Sequence, residues 1–184
     1  ESRQAVLQLS ETLRVLTEAR HLIVQATDGD RLMQDICDLL VRSRRYRFAW
    51  IGMKRHGDFV LFPAAQAGEG RGYLQAVTVT WDDSPTGRGP LGAALRANRA
   101  QVVDDTRSDE RFRPWTTEAL QRGYLSVAGI PMRSRGDIVG GLAVYASVTN
   151  AFPEEEIELL QAVADDLAHG LGRVRAEQLN ARRL

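Results

Sequence analysis

The order of apolar periodicities predicts an α+β fold: a central antiparallel sheet of five to six strands, with the terminal helices packed on one face and short helices and loops over the other. Two observations carry this. Both ends of the chain repeat apolar residues at helical spacing, whereas the middle reads as short apolar or alternating runs broken by Gly, Pro, Asn and Asp. Antiparallel strands joined in this way leave one face for the long helices and the other for the connecting segments.

The first helix is expected over 5–26, with Val6, Leu9, Leu13, Leu16 and Ile23 on one stripe and Arg20 interrupting it. Thr27-Asp28-Gly29-Asp30 stops it, and Asp28 or Asp30 can cap the next helix. That second helix carries Leu32, Ile36, Leu39 and Leu40 and ends near Arg44-Arg45, where positive charge suits a helix C-terminus. Strands are expected at 47–55 and 59–67, joined as a hairpin by His56-Gly57-Asp58. A further possible strand covers 76–81, where Val77 and Val79 alternate with Thr78 and Thr80. After a Gly- and Pro-rich loop, Pro90 suits the first position of a short helix through Leu91, Ala94 and Leu95. A strand at 101–104, a loop and a short helix at 115–121 ended by Gly123 follow. Strands 126–133 and 137–147 flank the turn Ser134-Arg135-Gly136. Pro153-Glu154-Glu155-Glu156 then opens a long helix, its carboxylates complementing the helix dipole. The chain divides into a connecting helix (1–26), a core (27–152) and a C-terminal helix (153–184).

The 184 residues suit one domain with a full core, and 43% are hydrophobic. With 24 basic and 24 acidic residues there is no basic footprint, so no nucleic-acid partner is expected. No apolar run reaches membrane length, and Glu1 opens a charged segment without the apolar core of a secretion signal. Cys37, the lone cysteine, permits neither an internal disulfide nor a cysteine metal cage, and points to a reducing, cytoplasmic setting. Alternating with Ile36 and Leu40, it reads as a small buried hydrophobe. His21, His56 and His169 do not converge, and the pairs Asp82-Asp83, Asp104-Asp105 and Asp109-Glu110 read as loops or caps. No metal and no cofactor is expected.

From Trp81 onward the order of motifs resembles the GAF family of sensor modules. Gly87-Arg88-Gly89-Pro90-Leu91-Gly92 is similar to that family's glycine-rich entry into the helix beside its pocket, and Gln101-Val102-Val103-Asp104-Asp105 to the strand after it. Asp109-Glu110-Arg111-Phe112 with Trp115 resembles its variable loop and short helix. Ile130-Pro131-Met132 and Gly136-Asp137-Ile138-Val139-Gly140-Gly141-Leu142 resemble its last two strands, and Phe152 with Leu159-Leu160 and Ala164 its closing helix. The resemblance runs from about residue 20 to 175. It implies a non-catalytic, ligand-sensing regulatory domain of a bacterial-type signalling protein. Such a domain binds a small molecule and signals through its terminal helices to an attached kinase, cyclase or phosphodiesterase, or transcription regulator. The alternatives are an enzyme of the methionine sulfoxide reductase type on the same fold, and a purely structural dimerisation module. The chain lacks the Asn-Lys-x-x-x-Phe-Asp-Glu type motif tied to cyclic nucleotides, has no cysteine in a pocket segment for a bilin, and has one cysteine where the reductases use several.

The ligand-binding residues this implies are Trp50, Phe62, Trp81, Trp115 and Tyr124, with the small residues Ser126 and Ala128 leaving space and Ser126 and Tyr145 supplying polar groups. Arg88, at a helix N-terminus, is expected to face an anionic group. Finally, Ile157, Leu160, Ala164, Leu167, Leu171 and Val174 form an a/d seam in the last helix. With the stripe from Val6 to Ile23 it predicts a homodimer through the terminal helices, weakened locally by Gly170 and Gly172.

Overall fold

The computed structural model describes residues 2–183. In chain order the elements are α1 (Ser2–Gln25), α2 (Gly29–Arg44), β1 (Phe48–Arg55), β2 (Asp58–Gly68), α3 (Tyr73–Ala76), α4 (Pro90–Ala97), β3 (Gln101–Val103), α5 (Thr116–Gln121), β4 (Ser126–Ser134), β5 (Asp137–Ala146) and α6 (Glu154–Arg183), with 3-10 turns at Pro85–Gly87 and Glu110–Trp115. Asp28 is the cap of α2, its side chain accepting from the Asp30 N–H. The strands form one antiparallel sheet in the order β2-β1-β5-β4-β3.

The segment 76–81 does not become a sixth strand. Its first residue ends α3, and a single bridge joins Val60 to Thr80. Only the Leu61 N–H to the Val79 carbonyl (3.0 Å) and the Trp81 N–H to the Phe59 carbonyl (3.1 Å) tie it to the edge of β2. Two residues further along that edge, Pro63 has no N–H to offer.

Successive residues of each strand serve two different cores. Ala49 and Ile51 of β1, Ala128, Ile130 and Met132 of β4, and Leu142 and Val144 of β5 meet α2 and α6. Phe48, Trp50, Val127, Ala143 and Tyr145 face the other way, beneath the crossing segments. Cys37 lies in the helix-side core, wholly buried.

α1 packs mainly on α2 and α6. Its expected stripe is split as a result: Val15, Ala19 and Ile23 point inward, whereas Val6, Leu9 and Leu13 are 65%, 60% and 55% exposed. α1 and α6 run parallel, with Arg20 beside Asp166 and the Ile23 carbonyl accepting from Arg173 at 2.6 Å. Gly170 permits that approach, because a Cβ there would lie 2.5 Å from the Ile23 side chain. The seam of α6 is spent within the molecule. Leu160, Ala164, Leu167 and Val174 are buried in its own core, and Ile157 and Leu171 are half-buried against it.

One ionic cluster fastens the start of α6. Arg44 at the end of α2 meets the Glu156 carboxylate through Nε at 3.0 Å and through a second nitrogen, and the Tyr46 hydroxyl donates to the same carboxylate. The Glu156 hydrogen bonds raise the Arg44 pKa, and burial pushes the Tyr46 phenol well above its usual range. Removing one partner of such a sheltered pair strands the other. Glu156→Ala is therefore expected to cost about 3 kcal/mol in chemical denaturation, against almost nothing for the exposed neighbour Glu155→Ala; equal losses would show the cluster is ornamental. Gly170→Leu should pry α1 from α6, costing about 1–3 kcal/mol. Faster amide exchange in α1, with the sheet still protected, is the expected signature.

Candidate functional site

The sheet face opposite the long helices is an aromatic chamber. Its floor is Phe48 and Trp50 from β1, Tyr145 from β5 and Val127 from β4; its roof is Tyr73 of α3, Leu91 of α4, and Phe112 and Trp115 of the second 3-10 turn. Glycines set how close the roof comes. A Cβ on Gly129 of β4 would lie 2.5 Å from the Pro90 backbone at the start of α4, and one on Gly89 would lie 2.4 Å from the Trp115 ring. Hydrogen bonds fix the rings: Trp50 Nε1 donates to the Tyr145 hydroxyl (2.9 Å), Trp115 Nε1 to the Thr78 carbonyl (2.9 Å), and the Tyr124 hydroxyl to the Glu69 carbonyl (2.6 Å).

The space left is about 20 Å³, walled by Tyr73, Leu91, Phe112, Trp115, Val127 and Tyr145 among others. That is room for about one water. No charged side chain lines it. Burial raises the Tyr73 and Tyr145 phenols well above their usual range and moves that of Tyr124 to about 12, so all three stay neutral hydroxyls at physiological pH.

Beside the chamber the loop before α4 is braced by its own polar groups. The Thr80 and Ser84 hydroxyls both donate to Asp82 at 2.7 Å and hold its carboxyl below the usual range. Arg96 donates to the carbonyls of Asp82 (2.7 Å) and Trp81 (3.3 Å).

The structure brings Trp50, Trp115, Tyr124 and Tyr145 together in the chamber. Trp81 stands at its rim, with Phe59 at 4.7 Å and the Lys54 ammonium 4.3 Å from its ring centre. Its indole N–H is the buried side-chain polar atom that lacks a partner among the described residues. Four expected residues lie elsewhere. Phe62 is 41% exposed beneath the Arg55 guanidinium, because its neighbour Leu61 takes the inward position. Ser126 and Ala128 alternate with Val127 and so point to the helix side, where Ser126 Oγ donates to the Val148 carbonyl (2.7 Å) and Ala128 joins the core. A one-residue error in strand phase moves a side chain to the opposite face. Arg88 is exposed and paired with Asp83 at 3.0 Å, in a surface depression beside Pro85 and Pro114.

Sequence reasoning missed Phe48, Tyr73 and Phe112. Phe48 stands two residues before Trp50 in an expected strand, so the period of two could have found it. Tyr73 had no such signal, since it lies on a single helical turn among glycines.

Cys37 is on the far side of the sheet from the chamber, and burial, with Asp38 beside it, pushes its thiol up to about 12. Among the described residues no group of three or more His, Cys, Asp or Glu side chains converges as a metal site, and no helix is long and apolar enough to cross a membrane.

No curated protein matches the sequence. Among solved structures, the chain is similar to the free methionine-R-sulfoxide reductase of Neisseria meningitidis, solved with its substrate, at TM-score 0.76 and 18% identity over 90% of this chain and 91% of that one. It is similar to the GAF domain region of a putative membrane protein from Geobacter sulfurreducens at TM-score 0.67 and 26% identity, over 79% and 94%. The GAF domain of an Acinetobacter phosphoenolpyruvate-protein phosphotransferase follows at 0.72 and 15%, over 91% and 97%. The reductase likeness corrects the expectation of a non-catalytic module: enzymes share this fold, so the fold does not set the chain apart from them. A family model for the GAF domain matches residues 26–171, from the α1–α2 junction to the middle of α6. The chain belongs to the GAF domain family.

Proposed function

We propose that this chain is a ligand-sensing regulatory domain: a small molecule occupies the aromatic chamber, and α1 and α6 carry its occupancy to an attached output domain. The observation behind this reading is that β1 and β5 are shared walls. Trp50 and Tyr145 face the chamber while Ile51 and Val144, their immediate neighbours, pack on the helices. A strand displaced on one side therefore repacks the other, since packed cores transmit strain. In this reading Trp50, Trp115, Tyr124 and Tyr145 hold the ligand, and the domain works in the reducing cytoplasm that its unpaired thiol favours.

The exposed stripe Val6, Leu9 and Leu13 supports a second copy packing along α1. Static light scattering should give twice the chain mass, and the triple replacement of those residues by Glu should return the monomer. A wild-type monomer at high concentration removes the dimer from the reading.

The reductase likeness supports a second reading, in which the chamber holds a substrate. Cys37 would not supply a thiolate from its buried place. One metabolite set, with free methionine-R-sulfoxide as its first member, addresses both readings. Thermal shift identifies a binder, and its loss in Tyr145→Phe or Trp50→Phe is expected. Amide exchange should then slow in both chamber and α6; protection confined to the chamber would deny the signalling role. Consumption of methionine-R-sulfoxide with a thiol reductant would favour the second reading.

A further inference from the structure

Tyr73 differs from the sheet's own rings in how it is held. Phe48, Trp50 and Tyr145 belong to strands of the sheet, whereas Tyr73 belongs to a four-residue helix. The backbone before it is in the left-handed region at Gly68 (φ 93°), Arg71 (φ 47°) and Gly72 (φ 74°), and the chain after it runs on without regular structure to the Thr80 bridge. Nevertheless, the Tyr73 side chain is 1% exposed. Its ring stands edge-on to Phe48, Tyr124 and Tyr145, at centroid distances of 6.2, 5.1 and 5.5 Å. Its ring thus lies against Tyr145, whose hydroxyl accepts from Trp50. A separately hinged segment thus places one phenol in the middle of a nest built by others.

We propose that Tyr73 is a built-in placeholder, and that the chamber takes a neutral, single-ring aromatic compound bearing a hydroxyl, which displaces Tyr73 with α3 and takes over its position against Tyr145. This rests on the chamber being the ligand site. The 20 Å³ now free admits nothing larger than about one water, so a ligand needs a ring to move. Of the roof rings, Phe112 and Trp115 run directly into α5 through their 3-10 turn, whereas Tyr73 sits on a four-residue helix that can swing as a lid. Charge is excluded by the walls, because an ion would lose its hydration with no partner to replace it. The nearest cation, Arg122, lies 5.6 Å from the Tyr73 ring, but its donors are taken by the carbonyls of Gly70 (3.1 Å) and Arg71 (2.9 Å) and by Glu118 (2.7 Å). Arg122 therefore clamps the turn that carries the lid rather than facing a ligand.

The probe is p-cresol, a copy of the displaced side chain, with toluene lacking the hydroxyl and 4-hydroxybenzoate carrying a charge. Binding is read by tryptophan fluorescence, since Trp50 and Trp115 line the chamber, and by amide exchange. Wild type should bind p-cresol with faster exchange across 70–79 and slower exchange in β1 and β5. Tyr73→Ala should bind it about tenfold more tightly, because the competing ring is gone. Arg122→Gln, which leaves the chamber volume intact, should tighten it about threefold by freeing the lid. Toluene and 4-hydroxybenzoate should bind at least tenfold more weakly than p-cresol, and Tyr145→Phe should erase the preference over toluene. Binding confined to Tyr73→Ala, or binding to wild type with 70–79 unchanged, would mean Tyr73 is fixed core and overturn the placeholder. Equal binding of the three compounds would overturn the ligand class and leave the site reading standing. No binding of any of them even to a folded Tyr73→Ala would overturn both.

Discussion

The structure depends on a sheet whose central strands have no solvent face. β1, β4 and β5 are buried along almost their whole paired length, so each must satisfy two cores with alternating residues. Antiparallel pairing allows this with short turns, and the long helices and the crossing segments each cover one face. Small residues on these strands follow from the same constraint. Gly129 and Gly141 lie where α4 presses on the sheet, and a side chain at either would push the roof away.

The two cores differ in chemistry as well as side. Toward the helices the filling is mainly aliphatic, with Leu, Ile, Val and Ala outnumbering the aromatic pair Tyr46 and Phe152. Opposite them lie seven aromatic side chains, several with a hydroxyl or indole N–H satisfied by a specific partner. Aliphatic packing fills space with little directional demand, whereas aromatic rings with polar tips prefer defined angles and partners. The helix side is thus suited to stability, and the aromatic side to discriminating between shapes that differ by one polar group.

Most of the fold was legible because its signals are periodic. The five strands and both long helices announce themselves by apolar spacing, and Asp28 and Pro90 mark helix starts by their local chemistry. What failed was phase and isolation. Ser126 and Ala128 lie on a correctly located strand, yet which face each residue takes is set by the pairing of β4 with β5, which the local sequence does not state. Phe62 fell to the same ambiguity. Tyr73 was invisible for a different reason: one helical turn is too short for a period, and its burial comes from residues distant in sequence. The stripe of α1 was visible, but its division into an inward and an outward half reflects packing on α2 and α6, which no single helix encodes.

The parallel course of α1 and α6 has a mechanical consequence. α6 is 30 residues long and stays tied to the α1–α2 corner past Gly170, through Arg173 to the Ile23 carbonyl and Gln178 Nε2 to the Thr27 carbonyl at 3.1 Å. The glycine at the closest approach brings the two helices within reach of these ties. A shift of one helix therefore drags the other, and the pair moves as a double rod. How stiffly its two members are coupled rests on the absence of a single methyl group.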